Sequence, residues 1–264
     1  MRWRDGQLRE TGGACEPIIT GWGAFTTAGC DEGRPLLWDR HQSRLQASAD
    51  YLGAGAGVAV PDEAEISAFL SAAGIDGPAR LRVVVRRVGD GHWSVEASAD
   101  GCAMVGPVSP PARLAVDRWG AAPPLAGHKT LSRLPWDLAR QRAVAAGADD
   151  VVLTDIDGNI LESSVANVWV VREGVVRTPP APARCLPGIM RGWLLENLPA
   201  LGIRAEQCDL DVSELDRVEE VWISNAVIGV RRVGRVLEKR WDSWPLFERV
   251  AAAGVPAPGW PKSV

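Results

Sequence analysis

Lysine is scarce in this chain of 264 residues, where only Lys129, Lys239 and Lys262 accompany 26 arginines. Arginine can replace lysine as a surface charge, but its guanidinium stays protonated and cannot serve as an amine nucleophile. A lysine retained in mid-chain is therefore a candidate for amine chemistry. Lys239 lies in a charged run and Lys262 among the last three residues, so a solvated charge explains both. Lys129 precedes a helix-like run, and the residues alone leave a chemical role and a surface role equally open.

Histidine and cysteine are also few and scattered. The three histidines form no HExxH pattern and the five cysteines are without CxxC spacing, which favours neither a metal centre nor a disulfide framework. No apolar run reaches the length of a membrane span, and the first residues, MRWRDGQLRE, lack the apolar core of a signal peptide. With a net charge of -4 and no block of arginines, nucleic acid and anionic membranes are not expected partners. We expect a cytoplasmic protein that acts on a small molecule.

Hydrophobic periodicity predicts a mixed chain of strands and helices. Strands are predicted over 21–28, 81–88, 92–99, 150–154, 160–171, 175–178, 221–226 and 228–233, and helices over 39–52, 61–73, 134–146, 186–197 and 242–252. The residues Gly89-Asp90-Gly91 are predicted to turn a hairpin. The proline-rich segment 106–124 is predicted to cross between two halves of the molecule.

Several polar side chains are candidates for a site. Thr26 and Thr27 are adjacent in a predicted strand, so their hydroxyls point to opposite faces and one should reach the interior or a site. Arg40 and Arg44 lie one turn apart on a predicted helix and could share a phosphate or a carboxylate. Glu162 begins a predicted strand, where neighbours can hold its carboxylate. Taken singly, each residue is also explained by a structural role, as a β-forming threonine, a solvated arginine or a rim charge.

Two further segments are candidates for a site. The segment LPGIMR puts free backbone N–H groups at the N-terminus of a predicted helix, a ready anion site that needs no particular side chain. The segment VWISNA is a buried-looking strand that ends in small polar residues. One lysine, one carboxylate, one helix arginine and these two segments together match the needs of a pyridoxal phosphate (PLP) site, namely an amine, a partner for the ring nitrogen and a phosphate cradle.

The order and spacing of these motifs resemble the class IV aminotransferase family, also called fold-type IV PLP enzymes, from about Gly21 to Val233. HKTLSR resembles the family's Schiff-base segment, and LESSVANVWVV resembles its Glu-x4-Asn segment. LPGIMR resembles its phosphate helix, ISNAVIGVRRV its second phosphate turn and RHQSRL its arginine helix.

The resemblance implies a role for each candidate residue. Lys129 would form the Schiff base with PLP and transfer protons, and Glu162 would face the pyridine nitrogen. Thr26 or Thr27 would lie beside the reacting group. The phosphate would be bound by Arg44, the backbone N–H groups of Ile189 and Met190, and, on the other side, Asn225 and Ala226.

The resemblance also implies an architecture. The fold class is α/β (α+β) with two domains and the cofactor between them. The smaller N-terminal domain is expected over residues 1–113, the crossing over 114–126 and the larger cofactor-binding domain over 127–264. The family is usually dimeric, so we expect a homodimer in which the second subunit helps to wall the site.

Three activities are compatible with the resemblance. The segments GAFTTA, HKTLSRL and SNAVIGV look most like the 4-amino-4-deoxychorismate lyases of folate synthesis, which release 4-aminobenzoate and pyruvate. Ser132, where many lyases have asparagine, departs from that pattern. An aminotransferase acting on D- or branched-chain amino acids is the alternative, although Leu134 stands where branched-chain enzymes have a tyrosine. A PLP-binding paralogue with a regulatory role and no turnover is a third possibility.

Overall fold

The computed structural model describes residues 2–4, 7–9, 21–55, 58–88, 92–102, 104–119 and 125–261. Within these ranges the fold is mixed α+β. The helices are α1 (Trp38–Tyr51), α2 (Glu63–Ala72), α3 (Leu134–Ala145), α4 (Ile189–Asn197) and α5 (Pro245–Ala253). The strands are β1 (Arg2–Arg4), β2 (Gln7–Arg9), β3 (Gly23–Asp31), β4 (Arg34–Pro35), β5 (Ala79–Val88), β6 (His92–Gly101), β7 (Ala112–Arg118), β8 (Asp150–Thr154), β9 (Ile160–Ser163), β10 (Asn167–Arg172), β11 (Val175–Thr178), β12 (Ala205–Gln207), β13 (Glu220–Asn225), β14 (Gly229–Val236) and β15 (Lys239–Arg240).

The smaller of the two main sheets has the strand order β4-β3-β5-β6, and its strand pairs are antiparallel. Alternate side chains of β5, from Ala79 to Val85, are fully buried against α1 and α2 in an apolar core. Because side chains alternate across a strand, Arg80, Arg82 and Arg86 share the opposite face. These arginine side chains therefore lie on the face of the sheet that is opposite the apolar core.

The larger sheet has nine strands in the order β12-β11-β10-β13-β14-β7-β8-β9, with β15 paired to β14. The β11–β12, β14–β7 and β7–β8 pairs are parallel, and the other pairs are antiparallel. Helices α4 and α5 contribute to an apolar cluster with strand residues in which Met190, Trp222 and Phe247 are buried. Helix α3 packs through Ala139 and Ala143 against β8. Within the described ranges, no helix combines the length and hydropathy that spanning a membrane requires.

Strand β7 lies inside the larger sheet, between β14 and β8. The chain therefore joins that sheet within the proline-rich segment that the sequence marks as the crossing. The domain boundaries at residues 113 and 126 stay a prediction.

The segment that carries Lys129 is bound to strand β3 of the smaller sheet. The Lys129 carbonyl accepts a hydrogen bond from the Phe25 N–H at 2.9 Å, and the Leu131 N–H donates to the Gly23 carbonyl at 2.9 Å. A Cβ on Gly23 would lie 2.5 Å from the carbonyl oxygen of Val85, so only glycine permits this approach of the strands. Strand β3 thus fixes the backbone on both sides of Lys129.

Most predicted elements are present in the structure, but one predicted strand is wrong. Residues 160–171 form two strands, β9 and β10, because a turn intervenes: the Ala166 N–H donates to the Ser163 hydroxyl oxygen at 2.9 Å. Buried Asp150 accepts hydrogen bonds from the hydroxyls of Ser163 and Ser164, which holds this turn. Strands β5 and β6 pair as the predicted hairpin requires, whereas its turn residues lie outside the described residues.

Candidate active site

Lys129 lines a cavity of about 530 Å³ between the two sheets. Its Nζ atom lies 4.8 Å from the centre of the Phe25 ring. Burial, together with the guanidinium groups of Arg133 and Arg44, lowers the pKa of Lys129 well below its usual 10.5, and Glu162 partly opposes this. A lysine with a lowered pKa presents a neutral amine at lower pH, which suits it to nucleophilic attack on a carbonyl.

Glu162 lies in β9 and lines the same cavity. Its Oε1 atom accepts a hydrogen bond from Nε1 of Trp136 at 2.8 Å, and its Oε2 atom accepts one from the Leu186 N–H at 3.1 Å. Burial raises the pKa of Glu162, while these two donors and the charge of Arg133 act in the opposite direction. The carboxylate is therefore held in one orientation on the wall of the cavity.

Arg44 extends from α1 into the cavity wall. Its Nη1 atom donates to the Pro187 carbonyl at 3.2 Å and its Nη2 atom to the Thr26 hydroxyl oxygen at 3.2 Å. Its Nε–H group is buried and has no hydrogen-bond partner among the described residues. Burial lowers the pKa of Arg44 to about 10, so the guanidinium stays charged at neutral pH. A buried donor without a partner is costly, and an anionic ligand would satisfy it.

The N-terminus of α4 faces the same space. Gly188 is the N-cap, and no side chain in the described part of the chain caps the helix. The first helical hydrogen bond runs from the Gly192 N–H to the Gly188 carbonyl, which leaves the N–H groups of Ile189 and Met190 outside the helical pattern. A Cβ on Gly188 would lie 1.9 Å from Oδ1 of Asn167, so the approach to this helix depends on glycine. Gly188 and Ile189 line the cavity, while the Met190 side chain is buried in the core.

The turn after β13 closes another side of the cavity. Asn225 and Ala226 both line it. The Asn225 Oδ1 atom accepts hydrogen bonds from the N–H groups of Val227 and Ile228 at 2.9 Å each. The Ala226 carbonyl accepts one from Gly29 of β3 at 3.2 Å, so this turn is tied to the smaller sheet.

The two candidate threonines are separated by the structure. Thr27 lines the cavity, as the alternation of β3 allows. Thr26 is fully buried, and its hydroxyl oxygen lies 2.6 Å from Nδ1 of His41 and accepts the hydrogen bond from Arg44. The hydroxyl of Thr26 therefore lies on the α1 side of the strand, where it supports Arg44, and Thr27 is the member of the pair that reaches the cavity. A role for either threonine beside the reacting group stays a prediction.

Three residues of this site are absent from the sequence-based set. His41 supports Thr26, and its spacing of three from Arg44 in RHQSRL is a signal that places both on one helix face. Asn167 donates from Nδ2 to the Leu186 carbonyl at 2.8 Å, and the Glu-x4-Asn pattern contains it. Trp136 contacts Glu162 across 26 residues of sequence, and no local pattern indicates that contact.

Comparison with known proteins places the chain in a family. The family model for amino-transferase class IV matches residues 23–236. The chain is 25% identical over 230 residues to the aminodeoxychorismate lyase of Vibrio harveyi, covering 82% of this chain and 83% of that protein. It is 35% identical over 101 residues to the mitochondrial branched-chain-amino-acid aminotransferase 1 of Arabidopsis thaliana, covering 38% of this chain and 26% of that protein.

Among solved structures, a protein from Legionella pneumophila provisionally named 4-amino-4-deoxychorismate lyase superposes with a TM-score of 0.80. It is 19% identical and the match covers 92% of this chain and 94% of that one. At that identity the likeness shows the shared fold. The chain therefore belongs to the class IV aminotransferase family, and PLP is the cofactor of that family.

The residues of the cavity fit PLP. The lysine amine with a lowered pKa suits the aldehyde, and the buried carboxylate of Glu162 suits a protonated ring nitrogen. The unpartnered Nε–H of Arg44 and the uncapped N-terminus of α4 suit a phosphate. Among the described residues, no group of three or more His, Cys, Asp or Glu side chains could hold a metal ion.

The pKa of Lys129 can be tested on the cofactor-free protein. A neutral amine reacts with acetic anhydride and an ammonium does not, so a lowered pKa moves the labelling of Lys129 to lower pH. Pulse labelling from pH 6 to 11, followed by peptide mapping, should show Lys129 half-reactive well below pH 10.5. Lys239, which lies in the exposed strand β15, is the internal reference. Coincident labelling curves for the two lysines would contradict the desolvation described here.

Glycine at position 188 can be tested by adding one methyl group. Gly188→Ala should weaken PLP binding at least about tenfold, because the Cβ must displace Asn167 and the start of α4. Gly192→Ala is the matched control on the same helix, since the nearest atom to its Cβ is Nη1 of Arg40 at 3.5 Å. The dissociation constants come from absorbance titration. Equal PLP affinity in the two variants would show that the close approach does not shape the site.

Proposed function

We propose that this protein is a PLP-dependent lyase that converts 4-amino-4-deoxychorismate to 4-aminobenzoate and pyruvate, a reaction of folate biosynthesis. The observation that carries the proposal is the charge of the cavity lining. Basic side chains outnumber acidic ones there: the basic set is Arg44, Arg80, Arg82, Lys129, Arg133 and Arg140, and the acidic set is Asp100, Asp137 and Glu162. The substrate carries two carboxylates, and a cationic lining matches that charge.

Arg82 is the arginine best placed to meet a substrate. It lies opposite Thr27 in the register of β3 and β5, and its Cζ atom is 3.8 Å from the centre of the Phe25 ring. The Nζ atom of Lys129 lies over that ring as well. Among the described residues Arg82 forms no ion pair. Burial and the charge of Arg80 lower the pKa of Arg82, and the carboxylate of Asp137 opposes this only in part. A carboxylate of the substrate would compensate the charge of Arg82.

Arg133 lies on the other side of the lysine segment. It donates a hydrogen bond to the Ser164 carbonyl, and its Cζ atom is 4.4 Å from the centre of the Trp136 ring. A branched-chain amino acid carries a single carboxylate and an apolar side chain, so it could place an anion at only one of Arg82 and Arg133, whereas the lyase substrate carries two carboxylates. Sites that leave buried polar groups unpaired discriminate strongly against such substrates.

The residues would divide the chemistry as follows. PLP, when bound, supplies an aldehyde that accepts the substrate amine and a protonated ring that withdraws electrons. Arg44 and the first N–H groups of α4 would hold its phosphate, closed in by Asn225 and Ala226, and Glu162 would face its ring nitrogen. Thr27 would lie beside the reacting carbon.

Lys129 would act as the base. Its lowered pKa keeps part of the amine neutral near neutral pH, so that it can take the proton from C4 of the substrate. As the C4–H bond breaks, its electrons form a ring double bond and the C3–O bond breaks. The enolate of pyruvate leaves and takes up a proton to become pyruvate. The ring becomes aromatic in this step, which lowers the barrier that the protein must overcome. The same proposal places the enzyme in the cytoplasm as a homodimer.

An aminotransferase acting on D- or branched-chain amino acids is the second candidate. The identity of 35% to a branched-chain enzyme over part of the chain favours it. Leu134, at the position where such enzymes have a tyrosine, is 67% exposed and does not line the cavity. The two candidates differ in whether an amino acid alone converts the bound cofactor to its amine form.

The lyase proposal is tested by product release. Protein loaded with PLP and given enzymatically made 4-amino-4-deoxychorismate should release 4-aminobenzoate and pyruvate in equal amounts, measured by fluorescence and a coupled dehydrogenase. D-Alanine or leucine in place of the substrate should leave the cofactor spectrum unchanged. If no product forms from 4-amino-4-deoxychorismate and an amino acid converts the bound cofactor to its amine form, the lyase proposal is wrong and the protein is an aminotransferase.

The role of Arg82 is tested by a neutral variant. Arg82→Gln should raise the KM for the lyase substrate at least about tenfold, because a charge-assisted contact to a carboxylate is lost. Arg86→Gln is the control, since Arg86 lies on the same face of β5, is exposed and pairs with Glu96. Equal KM values for the two variants would exclude Arg82 from substrate binding.

A further inference from the structure

We propose that Trp136 is a positioning residue of this site, whose indole N–H keeps the Glu162 carboxylate ionised and aimed into the cavity. The inference rests on the proposed role of Glu162 toward the ring nitrogen of PLP. Trp136 is the third residue of α3 and does not line the cavity, so it would act through Glu162 alone.

The geometry of the contact fixes the carboxylate. Trp136 Nε1 lies 2.8 Å from Oε1 of Glu162, and the Leu186 N–H lies 3.1 Å from Oε2. Each carboxylate oxygen thus has one donor, from a different element, and the plane of the group is determined. Because each oxygen can accept a second hydrogen bond, one acceptor site on either oxygen remains for a ligand.

The indole is itself held on both sides. Its ring meets that of Trp119 edge to face, with centroids 4.8 Å apart and an interplanar angle of 80°. The Arg133 guanidinium lies over it at 4.4 Å, and Arg133 is anchored to the Ser164 carbonyl. A side chain packed in this way has little freedom to turn its N–H elsewhere. The orientation of Glu162 is thereby coupled to the start of α3, two residues after Ser132.

Opposing effects around Glu162 allow the Trp136 N–H to influence whether the carboxyl group is ionised. Lys129, Arg44 and Arg133 favour the ionised form of the carboxylate, and the Cys185 thiol is close enough to interact with it. Burial favours the protonated acid. The indole N–H donates a stronger hydrogen bond to the charged carboxylate than to the neutral acid, so its removal would shift the balance toward the neutral acid. A neutral acid pairs poorly with a protonated ring nitrogen.

A purely structural role for Trp136 makes a different prediction. In that case Trp136 and Trp119 would contribute through packing alone, and phenylalanine at either position would have similar consequences. Trp119 is partly buried beside Trp136 and does not contact Glu162. The pair Trp136→Phe and Trp119→Phe therefore separates the N–H bond from the aromatic packing.

The first measurement needs no activity. The full-length, cofactor-free protein is labelled with ¹⁵N-tryptophan, and the Trp136 indole signal is identified by its loss in Trp136→Phe. In the wild type this signal should move with pH as Glu162 titrates, and in Glu162→Gln it should not move. If the chemical shift of the Trp136 indole N–H in the wild type does not change with pH, the proposal is wrong.

The second measurement is PLP affinity, read from absorbance titrations of the same proteins. Trp136→Phe should weaken binding about tenfold, as expected for a charge-assisted hydrogen bond. The PLP dissociation constant of Trp119→Phe should stay within about twofold of the wild-type value. Glu162→Gln should lose at least as much PLP affinity as Trp136→Phe. If Glu162→Gln weakens binding but Trp136→Phe matches Trp119→Phe, the inference alone fails. If Glu162→Gln binds PLP like the wild type, the role of Glu162 fails and the inference fails with it.

Discussion

Mutual burial of opposite charges between two sheets is the interaction on which this site depends. Burial lowers the pKa of Lys129 and raises that of Glu162, so desolvation drives both groups toward their neutral forms. The attraction between them and the surrounding N–H donors act against that drive. Two groups held in this balance change charge readily when a ligand arrives. The fold makes these two groups useful to a reaction because it fixes the positions of the Lys129 amine and the Glu162 carboxylate.

Backbone contacts do much of this fixing. Strand β3 binds the peptide groups on both sides of Lys129, and the same strand meets Ala226 on the opposite side of the cavity. Asn167 and Gly188 set the start of α4. These contacts connect the smaller sheet to the larger one at the cavity itself. A displacement of either sheet would therefore move the lysine and the phosphate-binding groups relative to one another.

Local patterns account for what the sequence predicts well. The scarcity of lysine singles out Lys129. The helix predicted over 61–73 is present as α2, which begins after Asp62, where Asp62 and Glu65 form both capping hydrogen bonds. Alternation in β5 places Arg82 on the face away from the core. In each case the signal lies within a few residues of the feature that it predicts.

Non-local contacts account for the rest. Which of the two adjacent threonines faces the cavity depends on where α1 packs. The structure shows that Thr26 lies on the α1 side of the strand, next to His41. The break between β9 and β10 depends on Asp150, more than ten residues away. The bond from Trp136 to Glu162 joins a helix to a strand across a loop and a further strand. Such contacts follow from the packing of whole elements and leave no periodic trace.

The covalent attachment of PLP to Lys129 is the central claim, and the small number of lysines makes it directly measurable. Protein loaded with PLP is reduced with borohydride, digested and mapped by mass spectrometry. The account predicts a pyridoxyl group on the peptide that contains Lys129, and none on the protein with Lys129→Ala. A pyridoxyl group on Lys239 or Lys262 instead, or a loaded protein that retains no label at Lys129, would contradict it.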